Sequence, residues 1–391
     1  MKVLIYPFIA LMFVFSSVAG QKDTTKTWKD YMSIRGYVKD MQTSSFSSLV
    51  PGVMIDNLIH NRVNIKVYPS KSVTGTFEFR NRLFWGETVS ATPNYGDQFD
   101  RDPGLVDMSW LLVKDPHVSL LTQIDRAHVN WSNEKWEVRV GRQRINWGIT
   151  SFWNSNDLFN AYSFTDFDYE ERPGVDAVRV QHYLKDGMSS VEFALKPSRN
   201  SNDWVGAMMY RFNKFQYDFQ LLVGWYNEDI TIGAGWAGNL KEASFKGEAS
   251  YFHPQESFAD TSGSVSVSTS LDYMFKKNVY ASIGYLFNSG GSIENLSLTN
   301  LSALNVPVSA KNLMPAQHSA LTSVSFPINP LLNASVVGVY SPGLNFLLAM
   351  PSLGYSIAND WEAALFAQSY FVGSDFTNLG NGVYIRVKMS F

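Results

Sequence analysis

Apolar and polar residues alternate with a period of two along much of the chain. Near the end, Val383, Ile385, Val387, Met389 and Phe391 alternate with polar or charged positions, and the same period recurs within 191–196, 215–225 and 279–287. Successive side chains of an extended strand point to opposite faces, so the pattern predicts strands with one apolar and one polar face. Helical spacing would instead scatter the charges into the apolar stripe.

The alternation predicts eighteen strands of nearly uniform length. They are expected at 28–39, 60–68, 73–86, 117–131, 134–145, 174–184, 188–197, 203–213, 215–226, 229–239, 242–252, 263–275, 277–288, 318–327, 331–341, 344–356, 359–371 and 382–391. Soluble strands average about 5–6 residues, whereas a tilted strand that crosses a bilayer needs about 9–11. The lengths therefore favour an all-β transmembrane barrel over a soluble sandwich.

The connections between these strands sort by length. The long ones, 40–59, 87–116, 146–173 and 289–317, all follow odd-numbered strands, whereas short turns such as 132–133, 185–187 and 329–330 follow even-numbered ones. Outer-membrane barrels have short periplasmic turns and longer extracellular loops. We therefore expect a closed antiparallel barrel of about 18 strands, with 16 possible, and with both termini on the periplasmic side.

Composition agrees with a membrane barrel. The chain has 391 residues, of which 15% are aromatic and 17% charged, and it contains no cysteine. Soluble proteins carry about 25% charged residues. The lack of cysteine excludes disulfides, a lipid-modified cysteine and a thiol nucleophile. Tryptophans near predicted strand ends fit interfacial girdles, namely Trp28, Trp85, Trp131, Trp204, Trp225 and Trp361.

The N-terminus resembles a targeting segment. Lys2 precedes an apolar run from Val3 to Val18, which ends in the small residues Ala19 and Gly20. This order is typical of a cleaved secretory signal peptide, with an uncleaved anchor as the alternative. We expect a signal peptide at 1–20 and a barrel domain at 21–391. Only a few residues then precede the first predicted strand, which leaves no room for the plug domain of a TonB-dependent transporter.

Arginines recur on the polar face of the predicted wall. Arg80 and Arg82 share a face with Glu78, Arg139 shares one with Glu137, and Arg179 shares one with Gln181. A basic wall would favour anions or sugar-like solutes. The alternative is that these arginines pair with Glu78, Glu137 or Asp125 across strands and merely hold the wall together.

The segment 141–174 interrupts the alternation. Arg142 and Arg144 fall on the face that Val138 and Val140 direct toward lipid, where a charge costs roughly 2–4 kcal/mol at mid-membrane. The strand is therefore expected to end or bulge near Gly141. The loop that follows is both aromatic and acidic, which suits a segment folded into the lumen.

This segment resembles a group of Gram-negative outer-membrane porin-like barrels. The resemblance lies in Gly141-Arg142-Gln143, Asn146-Trp147-Gly148, the stretch 152–157 and the acidic exit 166–174, over about residues 136–184. It is closest to Bacteroidetes members and looser to alginate-export and substrate-selective porins; Ser155 stands where a Pro is expected. The resemblance implies that the constriction is shaped by Arg142, Gln143, Arg144, Asn146, Trp147, Asp157, Asp166, Asp168, Glu170, Glu171 and Arg172.

Other classes of function were weighed against a channel. The six histidines, His60, His117, His128, His182, His253 and His318, are dispersed and no motif marks one as a catalytic base, so no enzyme is predicted. The acidic cluster 166–171 could bind Ca²⁺ but lacks the Ca²⁺-loop spacing, and structural or channel-lining use is favoured. A surface adhesin or polysaccharide-associated barrel without an open pore is the main alternative.

The sequence thus predicts a passive outer-membrane channel for small hydrophilic solutes in a Gram-negative bacterium. Its pore would be lined by Arg80, Arg82, Arg139 and Arg179 opposite the loop 146–173. No cofactor, metal or nucleic acid is expected, because neither metal motifs nor basic runs occur. Expected partners are outer-membrane lipid, the solutes and the barrel-assembly machinery, which would read the terminal Phe391; a homo-oligomer is left open.

Overall fold

A computed structural model describes residues 30–47, 51–100, 102, 104–161, 172–256, 258–296 and 308–391. The predicted signal peptide and Trp28 lie outside these residues. No helix among the described residues is long and apolar enough to cross a membrane.

The described chain forms a single antiparallel sheet of nineteen strands. They are β1 (Met32–Phe46), β2 (Val53–Ser70), β3 (Val73–Gly86), β4 (Ser109–Lys114), β5 (Val118–Ser132), β6 (Trp136–Gln143), β7 (Val175–Tyr183), β8 (Ser190–Lys196), β9 (Val205–Lys214), β10 (Tyr217–Tyr226), β11 (Asp229–Leu240), β12 (Ala243–Pro254), β13 (Ser264–Met274), β14 (Tyr280–Asn288), β15 (His318–Asn329), β16 (Leu332–Ser341), β17 (Phe346–Ala358), β18 (Trp361–Val372) and β19 (Thr377–Ser390). A short helix, α1 (Glu87–Ala91), follows β3.

The sheet closes on itself through its first and last strands. β1 pairs with β19 from Tyr37↔Ser390 to Phe46↔Asn381, and β1 pairs with β2 along its whole length. This pairing joins the first and last strands of the sheet, which a bilayer favours because it offers no water to unpaired backbone groups. The predicted all-β barrel is confirmed: eighteen strands form the wall and β4 is an additional strand.

β4 explains the odd strand count. β3 pairs with β5 along one edge, whereas β6 pairs only with the lower part of the other edge, Ala127 to Ser132. β4 pairs with β5 from Ser119 to Gln123. An interior strand has two edges, so β4 must continue the edge that β6 leaves. It therefore extends the wall above the point where the chain departs after Gln143.

The first two strands are longer than predicted, and the predicted long loop 40–59 is wrong. β1 continues to Phe46 and β2 begins at Val53. Here Asp40, Gln42 and Asn57 occupy the outward face, so polar residues stand on both faces and the alternation disappears. The start of β19 at Thr377 was also placed too late.

Side chains on the two faces of the wall differ as the alternation predicts. On β10, Leu221, Val223 and Trp225 are exposed on the outside, whereas Gln220 and Leu222 are buried. Trp131, Trp204 and Trp361 are likewise exposed near strand ends. Turns at the end that holds the termini are short, as at 71–72, 241–242 and 359–360, which confirms the predicted asymmetry. Lys241 in one of these turns has a positive φ, as do Phe215 and Gln216 in the turn between β9 and β10.

Candidate functional site

Near the end of β6, just before the long connection to β7, a glycine adopts a backbone conformation that other residues rarely take. Gly141 has φ 116°, and a Cβ there would lie 2.3 Å from the Ala127 carbonyl oxygen. The strand nevertheless keeps its register with β7 through Arg142↔Asp176 and Gln143↔Val175. The Gln143 side chain is fully buried and donates to the carbonyls of Arg139 and Ala177, at 3.1 and 2.9 Å.

Arg142 is shielded from lipid, because the connection between β3 and β5 covers it. Its guanidinium is buried between Asp176, with Nε at 2.8 Å, and Asp102, with Nη1 at 2.5 Å. Its Nη2 also donates to the Val106 carbonyl at 2.6 Å. Arg142 therefore ties Asp102 and Val106 to the wall beside β4, at the seam between β4 and β6.

The chain then crosses the inside of the barrel. Residues 153–160 are buried, as are Ile145, Trp147 and Thr150. Their contacts follow the inward face from β8 to β14, which is opposite to the face that carries the exposed Val223, Ile232 and Ile283. The predicted inward folding of this loop is therefore present over residues 145–161, which we call the lumen loop.

Glu248 anchors the lumen loop by its backbone. This buried carboxylate on β12 accepts N–H hydrogen bonds from Ile149, from Thr150 at 2.9 Å and from Asn156 at 2.8 Å. The Asn156 side chain donates to the Ala234 carbonyl at 3.0 Å and accepts from the Ser250 hydroxyl at 2.6 Å. Three backbone N–H groups of the loop converge on this one side chain, so Glu248 is the main fastening point.

Two aromatic groups complete the packing of the lumen loop. Trp147 is buried, its Nε1 donates to Glu192 at 2.7 Å, and its ring meets Phe159 edge-on at 5.0 Å. They pack in one apolar cluster with Ala194, Ala207 and Met209 of the wall. Farther along, Trp153 lies in a second cluster, which contains Leu286, Leu321, Val339 and Leu348.

Asp157 is a fully buried carboxylate within the lumen loop. Arg172 lies 3.5 Å from it. Burial raises the pKa of Asp157 to about 6, against the opposing effect of the positive charges on Arg172 and Arg144. Loss of water disfavours the ionised form, so this group titrates near neutral pH. Asn146 is exposed, and Arg144 is partly buried.

The wall from β2 to β8 carries the predicted charges, most of them in ion pairs. Arg80 lies 3.3 Å from Asp125 and donates to Gln123, and Arg82 also donates to Gln123, at 2.7 Å. Arg139 pairs with Glu137, and Arg179 with both Glu137 and Glu192. We define the charged wall as Arg62, Glu78, Arg80, Arg82, Asp125, Arg126, Glu137, Arg139, Arg179 and Glu192. Its arginines form ion pairs, as expected if these charges hold the wall together. The arginines nevertheless outnumber the carboxylates.

The connection between β14 and β15 also turns inward in its described part. Lys311 Nζ lies 2.6 Å from Asp229 on β11, and the Ala310 N–H donates to the Tyr226 hydroxyl at 3.2 Å. Leu296 N donates to the Leu344 carbonyl at 3.0 Å. Sequence analysis did not anticipate that this connection contacts the wall.

The predicted acidic cluster, Asp166, Asp168, Glu170 and Glu171, lies outside the described residues. Among the residues that are described, no group of three or more His, Asp or Glu side chains is arranged to hold a metal ion. The predictions about these four carboxylates therefore stay predictions.

Sequence reasoning missed the surface that receives the lumen loop. Strands β11 to β14 present small inward residues, including Gly233, Gly235, Ser268, Ser282 and Gly284. A Cβ at Gly233 would lie 2.6 Å from Asn156 Oδ1, and one at Gly284 would lie 2.9 Å from Phe152. A run of small residues on the polar face of neighbouring strands was the available signal.

These features define a class of protein by its fold: an outer-membrane-type β-barrel with a loop folded against its inner wall. No protein-family model matches the chain, and none of the curated proteins matches it. Several solved structures, in contrast, match the fold of the chain. OccAB4 of Acinetobacter baumannii superposes with a TM-score of 0.58 at 11% identity, covering 92% of this chain and 98% of that one.

Two structures from Pseudomonas aeruginosa give similar results. OccK5 (OpdH) has a TM-score of 0.57 at 9% identity and covers 93% of this chain and 98% of its own. The outer membrane protein OprD has a TM-score of 0.56 at 8% identity, covering 92% and 93%. At these identities the likeness establishes the fold, which is the porin-like barrel.

Proposed function

We propose that this protein is a channel in the outer membrane of a Gram-negative bacterium through which small hydrophilic solutes diffuse passively. The observation that carries the proposal is the lumen loop, pinned by Glu248 across the inner face of an eighteen-stranded wall. Barrels of 16–18 strands are wide enough to enclose an aqueous channel. A loop fixed against one side of such a barrel narrows the channel and leaves the rest of the lumen open.

The constriction of this channel is formed by the connection 146–173 on one side and the charged wall on the other. Solutes would pass between Asn146 or the acidic cluster 166–171 and the arginines Arg82, Arg139 and Arg179. Carboxylate and guanidinium groups on facing sides offer several weak sites, which lets a solute enter and leave. The excess of arginine over carboxylate in the charged wall favours anionic or sugar-like solutes.

The first test is single-channel recording of the refolded, full-length barrel in a planar bilayer. We expect stable open steps, and larger steps after deletion of residues 152–170, because the deletion removes the narrowing segment. Unchanged conductance in the deletion variant would contradict the constriction. A folded barrel that never conducts would contradict the channel and favour the adhesin or polysaccharide-associated alternative.

Ion selectivity tests the charged wall. Arg82→Gln removes a positive charge from the inner face and is expected to lower the anion-to-cation permeability ratio, read from the reversal potential in a salt gradient. Lys214→Gln removes the same charge from the outward end of β9, beside the turn, and serves as the matched control. Equal effects of the two substitutions would show that the charged wall does not line the path.

A further inference from the structure

The outward face of the barrel is apolar over most of its circumference. From β8 to β18, the outward positions between the rims hold apolar residues or glycine, with the hydroxyls of Thr269, Thr322 and Ser369 as the polar exceptions. Leu221, Ile232 and Ile283 are typical, each more than half exposed. This is the surface expected against lipid tails.

Three adjacent strands depart from this pattern. The outward positions of β1, β2 and β3 include Asp40, Gln42, Asn57, Asn61 and Asn81, which we call the outer polar patch. Gln42 lies directly across from Asn57, and Asn61 across from Asn81. Alternation places them outside, because His60 and Arg62 on the same strand are buried.

Part of the outer polar patch lies at mid-height, between the ends of the strands. On the same face of β1, Asp40 stands midway between the exposed Ile34 and Phe46, and on β3 Asn81 stands midway between Phe77 and Trp85. Lipid headgroups and interfacial water would meet the ends of these strands. The middle would meet only hydrocarbon, where no hydrogen-bond partner exists.

Part of the patch satisfies itself, and part does not. Asn81 donates to the Asn61 side chain at 3.2 Å, Thr122 donates to Asn81 at 2.7 Å, and Asn61 donates to the Tyr37 carbonyl at 3.2 Å. The side chains of Asp40, Gln42 and Asn57, in contrast, make no hydrogen bond to any residue within the described ranges. The carboxylate of Asp40 thus projects from the middle of β1, and the amides of Gln42 and Asn57 project from the halves of β1 and β2 that lead toward Phe46 and Val53.

We propose that the outer polar patch is the contact surface for a second copy of this chain, which forms a two-fold dimer in the membrane; this rests on the proposed outer-membrane location. Amide groups both donate and accept, so a patch rich in Asn and Gln is complementary to itself. Across the strands β8 to β18 no second patch of this kind offers a different mating surface. An isologous contact, in which each copy uses the same patch, follows.

The membrane fixes the geometry of such a dimer. Both copies must cross with the same orientation, so the two-fold axis runs along the membrane normal and each group meets partner groups at its own height. Gln42 lies two residues from Asp40 on β1, and Asn57 lies across from Gln42 on β2. They can therefore donate to the partner's carboxylate, which hydrocarbon cannot do.

Cysteine cross-linking tests the contact directly, because the chain has no cysteine of its own. Gln42→Cys, expressed as the full chain in outer membranes and treated with a short bis-maleimide, is expected to give a covalent product of twice the chain mass. Thr269→Cys places the same group on the outward face of β13 and is expected to give no dimer. If Gln42→Cys gives no cross-linked product, or one whose mass is not twice that of the chain, the proposal is overturned.

A second variant distinguishes contact from crowding in the membrane. Replacing Asp40, Gln42 and Asn57 together by Leu removes the groups that recognise the partner and is expected to shift the purified protein from dimer to monomer in analytical ultracentrifugation. Persistence of a dimer in this variant, or a monomeric unaltered protein, would contradict the proposal. Single-channel conductance separates the proposed channel from the proposed dimer. A monomer that conducts would overturn the dimer and leave the channel standing.

Discussion

One carboxylate, Glu248, holds the backbone of the lumen loop, and its removal should release that loop. A buried N–H group left without its hydrogen-bond partner costs about 1–3 kcal/mol. Glu248→Ala leaves three buried N–H groups without their acceptor, so we expect docking of the lumen loop to weaken by at least about 3 kcal/mol and single-channel conductance to rise or fluctuate.

Glu362→Gln is the matched control for this change. Glu362 is also an inward carboxylate, but it pairs with Arg386 on β19, away from the lumen loop. Its substitution should leave the size and noise of the open steps unchanged. If both variants behave like the unaltered channel, Glu248 does not fasten the constriction.

A second residue, Asp157, gives the lumen loop a dependence on pH. Burial raises its pKa from 3.8 to about 6, so the docked loop binds a proton that an undocked, solvated loop would release between about pH 4 and 6. Acidification through this window therefore favours docking. Arg172, Arg144 and the carboxylate of Glu248 face the same region.

We expect smaller and quieter channel currents at pH 5 than at pH 7.5, measured in the same salt. Asp157→Asn keeps the shape of the side chain without its charge, and should reduce this difference. An unaltered pH response in Asp157→Asn would assign the effect to another group.

At the scale of elements, the lumen loop fits because β11 and β14 present glycines beneath it. Gly233→Val adds a branched side chain where a Cβ already lies 2.6 Å from Asn156 Oδ1, so it should displace the loop and raise conductance. Gly354→Val is the control, because its inward Cβ meets nothing within 4 Å. Recording both variants in planar bilayers checks the expectation, and equal conductance in the two would contradict it.

The seam between β4 and β6 depends on a buried ion cluster. Arg142→Ala would leave Asp102 and Asp176 buried without their partner, and breaking a buried pair typically costs about 3–5 kcal/mol. We expect the Arg142→Ala barrel to unfold at a lower temperature than the unaltered protein. The shift in gel mobility after heating measures this temperature. Lys114→Ala breaks the exposed pair with Asp97 and should change little. Equal shifts in both variants would show that the Arg142 cluster does not stabilise the seam.

For the whole molecule, the alternating pattern was sufficient where one face of a strand meets lipid and the other does not. β10 and β12 were predicted almost to the residue for this reason. The upper halves of β1 and β2 were missed because Asp40, Gln42 and Asn57 are polar on the outward side, and a strand that is polar on both faces resembles a loop. If the outer polar patch is a contact surface, the failed prediction and the proposed dimer have the same physical origin.

The candidate site was accessible to sequence reasoning only in part. The break near Gly141 and the aromatic composition of 145–160 indicated an inward loop, because a charged strand face cannot continue into hydrocarbon. Glu248 could not be found this way, since five strands, β7 to β11, lie between it and the lumen loop in the chain. A residue of this kind is recognised only when its partners are known.

The sequence by itself determined that this is an all-β barrel, how most of its strands run and which side chains face in, because a period of two is a local property that lipid and water enforce at every strand. The tertiary structure decided what local patterns cannot contain. It placed Asp102 and Asp176 around Arg142, added β4 to the edge that β6 leaves and brought the lumen loop onto Glu248. Such contacts depend on barrel closure, which brings together residues far apart in the chain.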